Sequence, residues 1–76
     1  MSAAIADSFG WIKVTPETMP ADLQEIQVWD HEDYMSVPGF WADEDVCFYS
    51  RIDGLSFADG RVTHWMEVQA PEGVTA

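Results

Sequence analysis

Arg61-Val62-Thr63-His64-Trp65-Met66-Glu67-Val68 decides the fold class of this chain. The stretch alternates, with Asp59-Gly60 before it and Ala70-Pro71-Glu72-Gly73 after it. Period-two alternation between turn residues predicts a strand. Counted along a regular strand, Val62, His64, Met66 and Val68 share one face, and Thr63, Trp65 and Glu67 share the other.

Three earlier stretches read the same way. Trp11-Ile12-Lys13-Val14 is a short strand stopped by Thr15-Pro16, because proline holds the preceding residue extended and donates no hydrogen bond. Gln24 to Trp29 is a second strand, with Ile26 and Val28 on one side and Glu25, Gln27 and Trp29 on the other. Val46 to Tyr49 is another, with Val46 and Phe48 sharing a face. Tyr34-Met35-Ser36-Val37 is a shorter strand that Pro38-Gly39 breaks or bulges, and Leu55 to Phe57 is a short irregular one. Thr15 caps a single helical turn over Pro16-Glu17-Thr18. The expected fold is mainly β: one small antiparallel meander sheet of four to five strands with one short helical turn. Residues 1–10 form an N-terminal arm, 11–70 the β domain and 71–76 a C-terminal tail.

The alternation predicts two apolar faces. Ile12, Val14, Ile26, Val28, Val62, Met66 and Val68 line an aliphatic one, with His64 among them. Trp11, Trp29 and Trp65 come together on the opposite, otherwise polar face, within cross-strand reach of one another. Either the arm or the 50–60 loop covers these rings, or they form a platform for a partner.

The chain has 76 residues, enough for one domain with a small core. Its 47% hydrophobic content argues for a folded domain. Fourteen acidic residues against three basic ones give a net charge of −11. That balance repels nucleic-acid phosphates and anionic membranes, excludes direct nucleic-acid binding, and favours a basic protein surface as partner. One cysteine, Cys47, permits no intrachain disulfide and suits a reducing compartment. The first residues lack the basic and apolar regions of a secretory signal. No apolar run is long enough to span a membrane.

Trp11-Ile12-Lys13-Val14, Met19-Pro20, Gln24-Glu25-Ile26-Gln27-Val28-Trp29-Asp30 and Val62-Thr63-His64-Trp65-Met66, with Pro71, occur in the order of a phage-borne family. The chain resembles number five-five-one among the domains of unknown function, over residues 11 to 71. It departs from that pattern in a longer loop before Pro20, in Glu67 where a proline is common, and in its acidity. The resemblance implies a small β-rich protein carried by phages or prophages, and it implies no activity.

No residue set calls for catalysis. His64 lacks a nucleophile or carboxylate held against it, since Thr63 points to the other face of a regular strand. Asp30-His31-Glu32-Asp33 lacks the glycine and distal glutamate of a calcium loop. Cys47 has no basic neighbour in sequence to activate it. No cofactor and no metal is expected.

The acidic turns are the candidate partner-binding residues: Asp30, Glu32 and Asp33, then Asp43, Glu44 and Asp45, then Asp53 and Asp59. On an extended backbone, carboxylates at i and i+2 stand about 6.5–7 Å apart, close to the spacing of successive phosphates. Trp29 and Trp65 are the aromatic anchors. These features predict a small phage-encoded inhibitor acting in the host bacterial cytoplasm. Its target would be a nucleic-acid-handling defence protein, a CRISPR effector or a restriction system. The alternative is an interaction or assembly module that uses the tryptophan face, with a homodimer as one form.

Overall fold

The computed structural model describes residues 6–68. Five strands, β1 (Ile12–Lys13), β2 (Ile26–Asp30), β3 (Met35–Ala42), β4 (Cys47–Ser50) and β5 (Val62–Glu67), form one antiparallel sheet in the order β1-β5-β2-β3-β4. β2, β3 and β4 follow one another as a meander. β5 then returns to lie between β1 and β2, where it pairs on both sides. The most clearly alternating strand of the sequence is therefore interior, and its ladders join β1 to β2.

Among the described residues there is no helix. Thr15 to Thr18 form a β-turn, with the Thr18 amide donating to the Thr15 carbonyl at 3.0 Å. The helical turn expected there does not continue. Residues 6–10 are a turn clipped to the edge of β1: Ala6 bridges Ile12, and the Asp7 amide donates to the Trp11 carbonyl at 2.8 Å. At the other edge, Ser56 bridges Tyr49, and the Phe57 amide donates to the Phe48 carbonyl at 2.9 Å. Both edges thus carry short irregular pairing, which limits edge-to-edge association with other sheets. The first five residues of the arm and the tail over 71–76 lie outside the described residues.

Pro38-Gly39 does not break β3, which runs unbroken for eight residues. The Pro38 carbonyl accepts from the Arg51 amide at 2.9 Å, so the proline faces the β4 side just where β4 has ended. A missing N–H costs little at the end of a ladder.

One face of the sheet is buried. Ile26, Val28, Val37, Phe48, Val62 and Trp65 form the core, with Ile12, Val14, Met19, Trp41 and Phe57 packed against it. Met19 and Phe57 come from the long connections before β2 and before β5, which fold over this face.

The register of β5 corrects the sequence reading. Val28 stands opposite Trp65 and Trp29 opposite His64, but Asp30 stands opposite Val62. Thr63 is the extra residue of a β-bulge. One unpaired residue reverses the alternation. Val62 points into the core, and three residues later so does Trp65, which is 5% exposed. His64 and Met66 turn to the opposite face, beside Trp29 and Gln27. Trp65 therefore does not join Trp11 and Trp29, and His64 and Met66 do not serve the core.

Candidate functional site

The second face of the sheet carries Lys13, Gln27, Trp29, Ser36, Pro38, Phe40, Cys47, Tyr49, His64 and Met66, all half-buried or exposed. Only Ala42 on this face is buried. No second layer of the described chain packs against it.

Its aromatics gather at two ends. Trp11 and Trp29 meet edge to face at 5.9 Å, and Trp29 meets Tyr34 the same way at 4.9 Å. Tyr34 is 73% exposed and Phe9 80%, and both border a hollow of about 620 Å³ beside these rings. Tyr34 holds φ at 57°, a left-handed conformation that carries its ring back onto Trp29. At the other end, Phe40 and Tyr49 stack at 5.3 Å. The Arg51 guanidinium lies 4.1 Å from the Phe40 ring centre and pairs with Glu25 at 2.6 Å. Gln27 and Ser36 join across β2 and β3 by a 2.8 Å hydrogen bond between the two clusters.

The acidic residues are arranged otherwise than an extended backbone would place them. Asp30 is the last residue of β2 and is 2% exposed. Arg61 Nε and Nη2 donate to its two carboxylate oxygens at 2.8 Å each. Its Oδ1 also accepts from the amides of Glu32 and Asp33. Asp33 takes a further contact from Arg61 Nη2 at 3.0 Å, and Glu32 lies 3.9 Å from Nε. The hydrogen bond from Arg61 holds the Asp30 carboxyl below its ordinary range, against the opposing effect of burial. Asp30 is thus a structural ion-pair residue and is not displayed to a partner.

Asp43, Glu44 and Asp45 lie in the β3–β4 turn. Asp43 accepts from the Trp41 indole, on the core face. Asp45 accepts from the Tyr49 hydroxyl at 2.8 Å, on the second face. That carboxylate pushes the Tyr49 phenol above its usual range. Glu44 is exposed between them. Neither acidic cluster presents the regular i, i+2 row that the phosphate spacing requires. Asp53 accepts from the Leu55 amide at 3.0 Å, and Asp59 is exposed in the turn before β5.

Trp29 is where the sequence places it, and Trp65 is not. Trp65 Nε1 donates to the Thr18 carbonyl at 2.7 Å, which fastens the 15–20 loop over the core. His64 Nδ1 shares a 2.9 Å hydrogen bond with Thr63 Oγ1, a pairing the bulge permits and a regular strand forbids. His31 packs near Tyr34 at 6.3 Å. Among the described residues no group of three or more His, Cys, Asp or Glu is placed to hold a metal ion. Sequence reasoning overlooked Arg61 as the partner of the first acidic turn, and Tyr34 and Phe9 as walls of the aromatic hollow. Arg61 carried a signal, being one of only three basic residues and lying beside the strand that pairs with β2.

No curated protein and no solved structure matches the chain. The model of one family, described as a protein of unknown function, matches nearly its whole length, including β1, β5 and both aromatic clusters. The chain belongs to that family, DUF551, over residues 10–72.

Proposed function

We propose that this protein is a non-enzymatic binding module that docks a basic partner protein on the second face of its sheet. One observation carries the reading: Trp11, Trp29, Phe40 and Tyr49, with Tyr34 in the adjoining turn, lie half-buried or exposed on a face against which no second layer of the described chain packs. Aromatic clusters left partly open on a small domain suit an interaction site, and tryptophan and tyrosine are the usual anchors of such sites. The net charge of −11 selects the partner, because a second copy of this chain would bring like charge against like.

The partner class best suited to that charge is a basic, nucleic-acid-handling host protein. In this reading the chain is a phage-encoded inhibitor of a CRISPR effector or restriction system and works in the host bacterial cytoplasm. The support is electrostatic. Arg51 and Arg61 are both held by carboxylates of the chain itself, so the surface keeps a strong negative field. Carboxylates in turns supply attraction and orientation, and the aromatic face supplies contact area.

The test is capture of host proteins with the tagged chain at about 50 and 200 mM salt, wild type beside Trp29→Ala and Tyr34→Ala. The expected result is one partner retained by wild type, weakened by salt and lost with each variant while the melting midpoint holds. Retention by both variants removes the aromatic face from the proposal. Salt-insensitive capture removes the electrostatic part.

A further inference from the structure

On the reading that the second face is a docking surface, the hollow beside Trp11 and Trp29 narrows the partner further. Its rings do not form a flat plate. Trp11 and Trp29 are inclined at 68°, and Trp29 and Tyr34 at 78°, so the aromatic surface is a set of ridges with furrows between them.

Some of its polar groups are engaged within the chain: Asp7 Oδ1 takes the amides of Phe9 and Trp11 at 2.9 Å, and Thr63 Oγ1 is joined to His64. The indoles of Trp41 and Trp65 have acceptors in Asp43 and Thr18, but those of Trp11 and Trp29 have none among the described residues. The exposed Lys13 ammonium belongs to the same wall.

Ridged aromatic walls with two unused indole donors suit a ligand that is apolar and rich in acceptors. A polyproline II segment has those properties. Its prolines carry no N–H, its carbonyls point outward with no internal partners, and its stiffness reduces the entropy lost on binding. Aromatic furrows on small β domains are a recurrent way of reading such segments. The net charge of −11 then places basic residues beside the prolines.

We infer that this hollow docks a proline-rich segment of the partner, with Trp11 and Trp29 donating to its carbonyls and flanking arginine or lysine residues facing the acidic surface. The probe is a ten-residue synthetic peptide with proline at every third position and two arginines at one end. Its controls carry glycine for each proline, or glutamine for each arginine. Binding is followed by calorimetry and by the indole N–H resonances of the full chain.

The expected result is a shift of the Trp11 and Trp29 indole resonances while those of Trp41 and Trp65 stay in place. Trp29→Ala should weaken binding about tenfold or more. Tyr34→Gly should also weaken it, and its φ of 57° makes glycine a safe replacement for the fold. Equal binding of the glycine peptide overturns the proline-rich assignment and leaves a site for basic segments only. No binding of either arginine peptide at millimolar concentration overturns it as well. In that case host-protein capture that is still lost in Trp29→Ala keeps the docking face, and capture that survives removes both.

Discussion

Arg61 grips Asp30 with two nitrogens, Nε on one carboxylate oxygen and Nη2 on the other, each at 2.8 Å. By sequence Asp30 belongs to an acidic turn and Arg61 opens the last strand, and their pairing is the most deeply placed charge interaction of the described chain. The Arg61 hydrogen bond, more than anything else, lowers the Asp30 pKa from its ordinary value of 3.8. A carboxyl lowered in this way binds its proton less readily in the folded state than in the unfolded chain. The stability it confers is complete above about pH 4 and is lost as the pH falls through the folded-state value. Melting midpoints between pH 2.5 and 7 should therefore drop steeply below about pH 4 in the wild type. Asp30→Asn should melt lower at pH 7 and show a shallower acid limb; an unchanged limb would assign the acid sensitivity elsewhere.

Removing the cation should be more damaging than removing the anion. Arg61→Met leaves the buried Asp30 carboxylate without its bidentate partner. Uncompensated buried charge is among the costliest single defects in a small domain, and a fall in melting midpoint of roughly 10 °C or more is expected at pH 7. The double variant Asp30→Asn/Arg61→Met should recover part of that loss, because no buried charge is left stranded. Calorimetric melts of the three variants distinguish this coupling from independent effects.

The sheet was legible in the sequence because its strands alternate and end at strong turn residues. Ile26, Val28 and Val62 read as core material and are core. What was not legible is parity. A bulge leaves no mark in composition: Val62-Thr63-His64-Trp65 looks the same whether Thr63 is paired or extra. One unpaired residue moved Trp65 inward and His64 and Met66 outward. The acidic turns misled for a related reason. Phosphate-like carboxylate spacing needs an extended chain, but Asp43 to Asp45 lie in a turn whose side chains hold Trp41 and Tyr49 on opposite faces.

The two candidate anchor tryptophans should now separate in stability measurements. Trp65→Ala opens a hole in the core and releases the Thr18 carbonyl, a loss of about 3–5 kcal/mol that would leave little of a small domain's stability. Trp29→Ala removes a half-buried ring from the second face and should leave a cooperative transition. Chemical denaturation of both variants is the measurement. Equal losses would mean that the second face is as much a core as the first.

Gly39 sits opposite Ser50 in β4 with no room for a side chain. A Cβ built there would lie 2.5 Å from the Tyr49 carbonyl oxygen, a backbone atom that cannot turn aside. Gly39→Ala must push the two strands apart, at a cost of about 1–3 kcal/mol. The amides of β4 should exchange faster in this variant, with little change in β5. Uniform protection across the sheet would show that the strands absorb the methyl group without separating.

Val46 closes the β3–β4 turn at φ 53°, with its amide donating to the Asp43 carbonyl at 3.3 Å. A β-branched residue is strained in that conformation, and its side chain, 69% exposed, gains little packing in return. Val46→Asn keeps the turn and relieves the strain. A gain of about 0.5–1.5 kcal/mol is expected, read as a higher denaturation midpoint with an unchanged slope. If stability falls instead, the valine must be making contacts over the apolar cleft it borders with Met19, Trp41 and Phe57.

The remaining acidic residues are expected to act through their field and not through a fixed row. Glu44 and Asp59 are exposed in separate turns, and neither donates structure in the way Asp30 does. Reversing both, Glu44→Lys with Asp59→Lys, changes the net charge from −11 to about −7 by two units for each substitution. Relief of self-repulsion should keep the melting midpoint unchanged or raise it slightly. Capture of a basic partner should weaken and lose part of its salt dependence, whereas the aromatic contacts on the second face should persist at high salt. Capture that is unchanged at both salt concentrations would mean that affinity resides in the aromatic face alone, with the charge serving solubility.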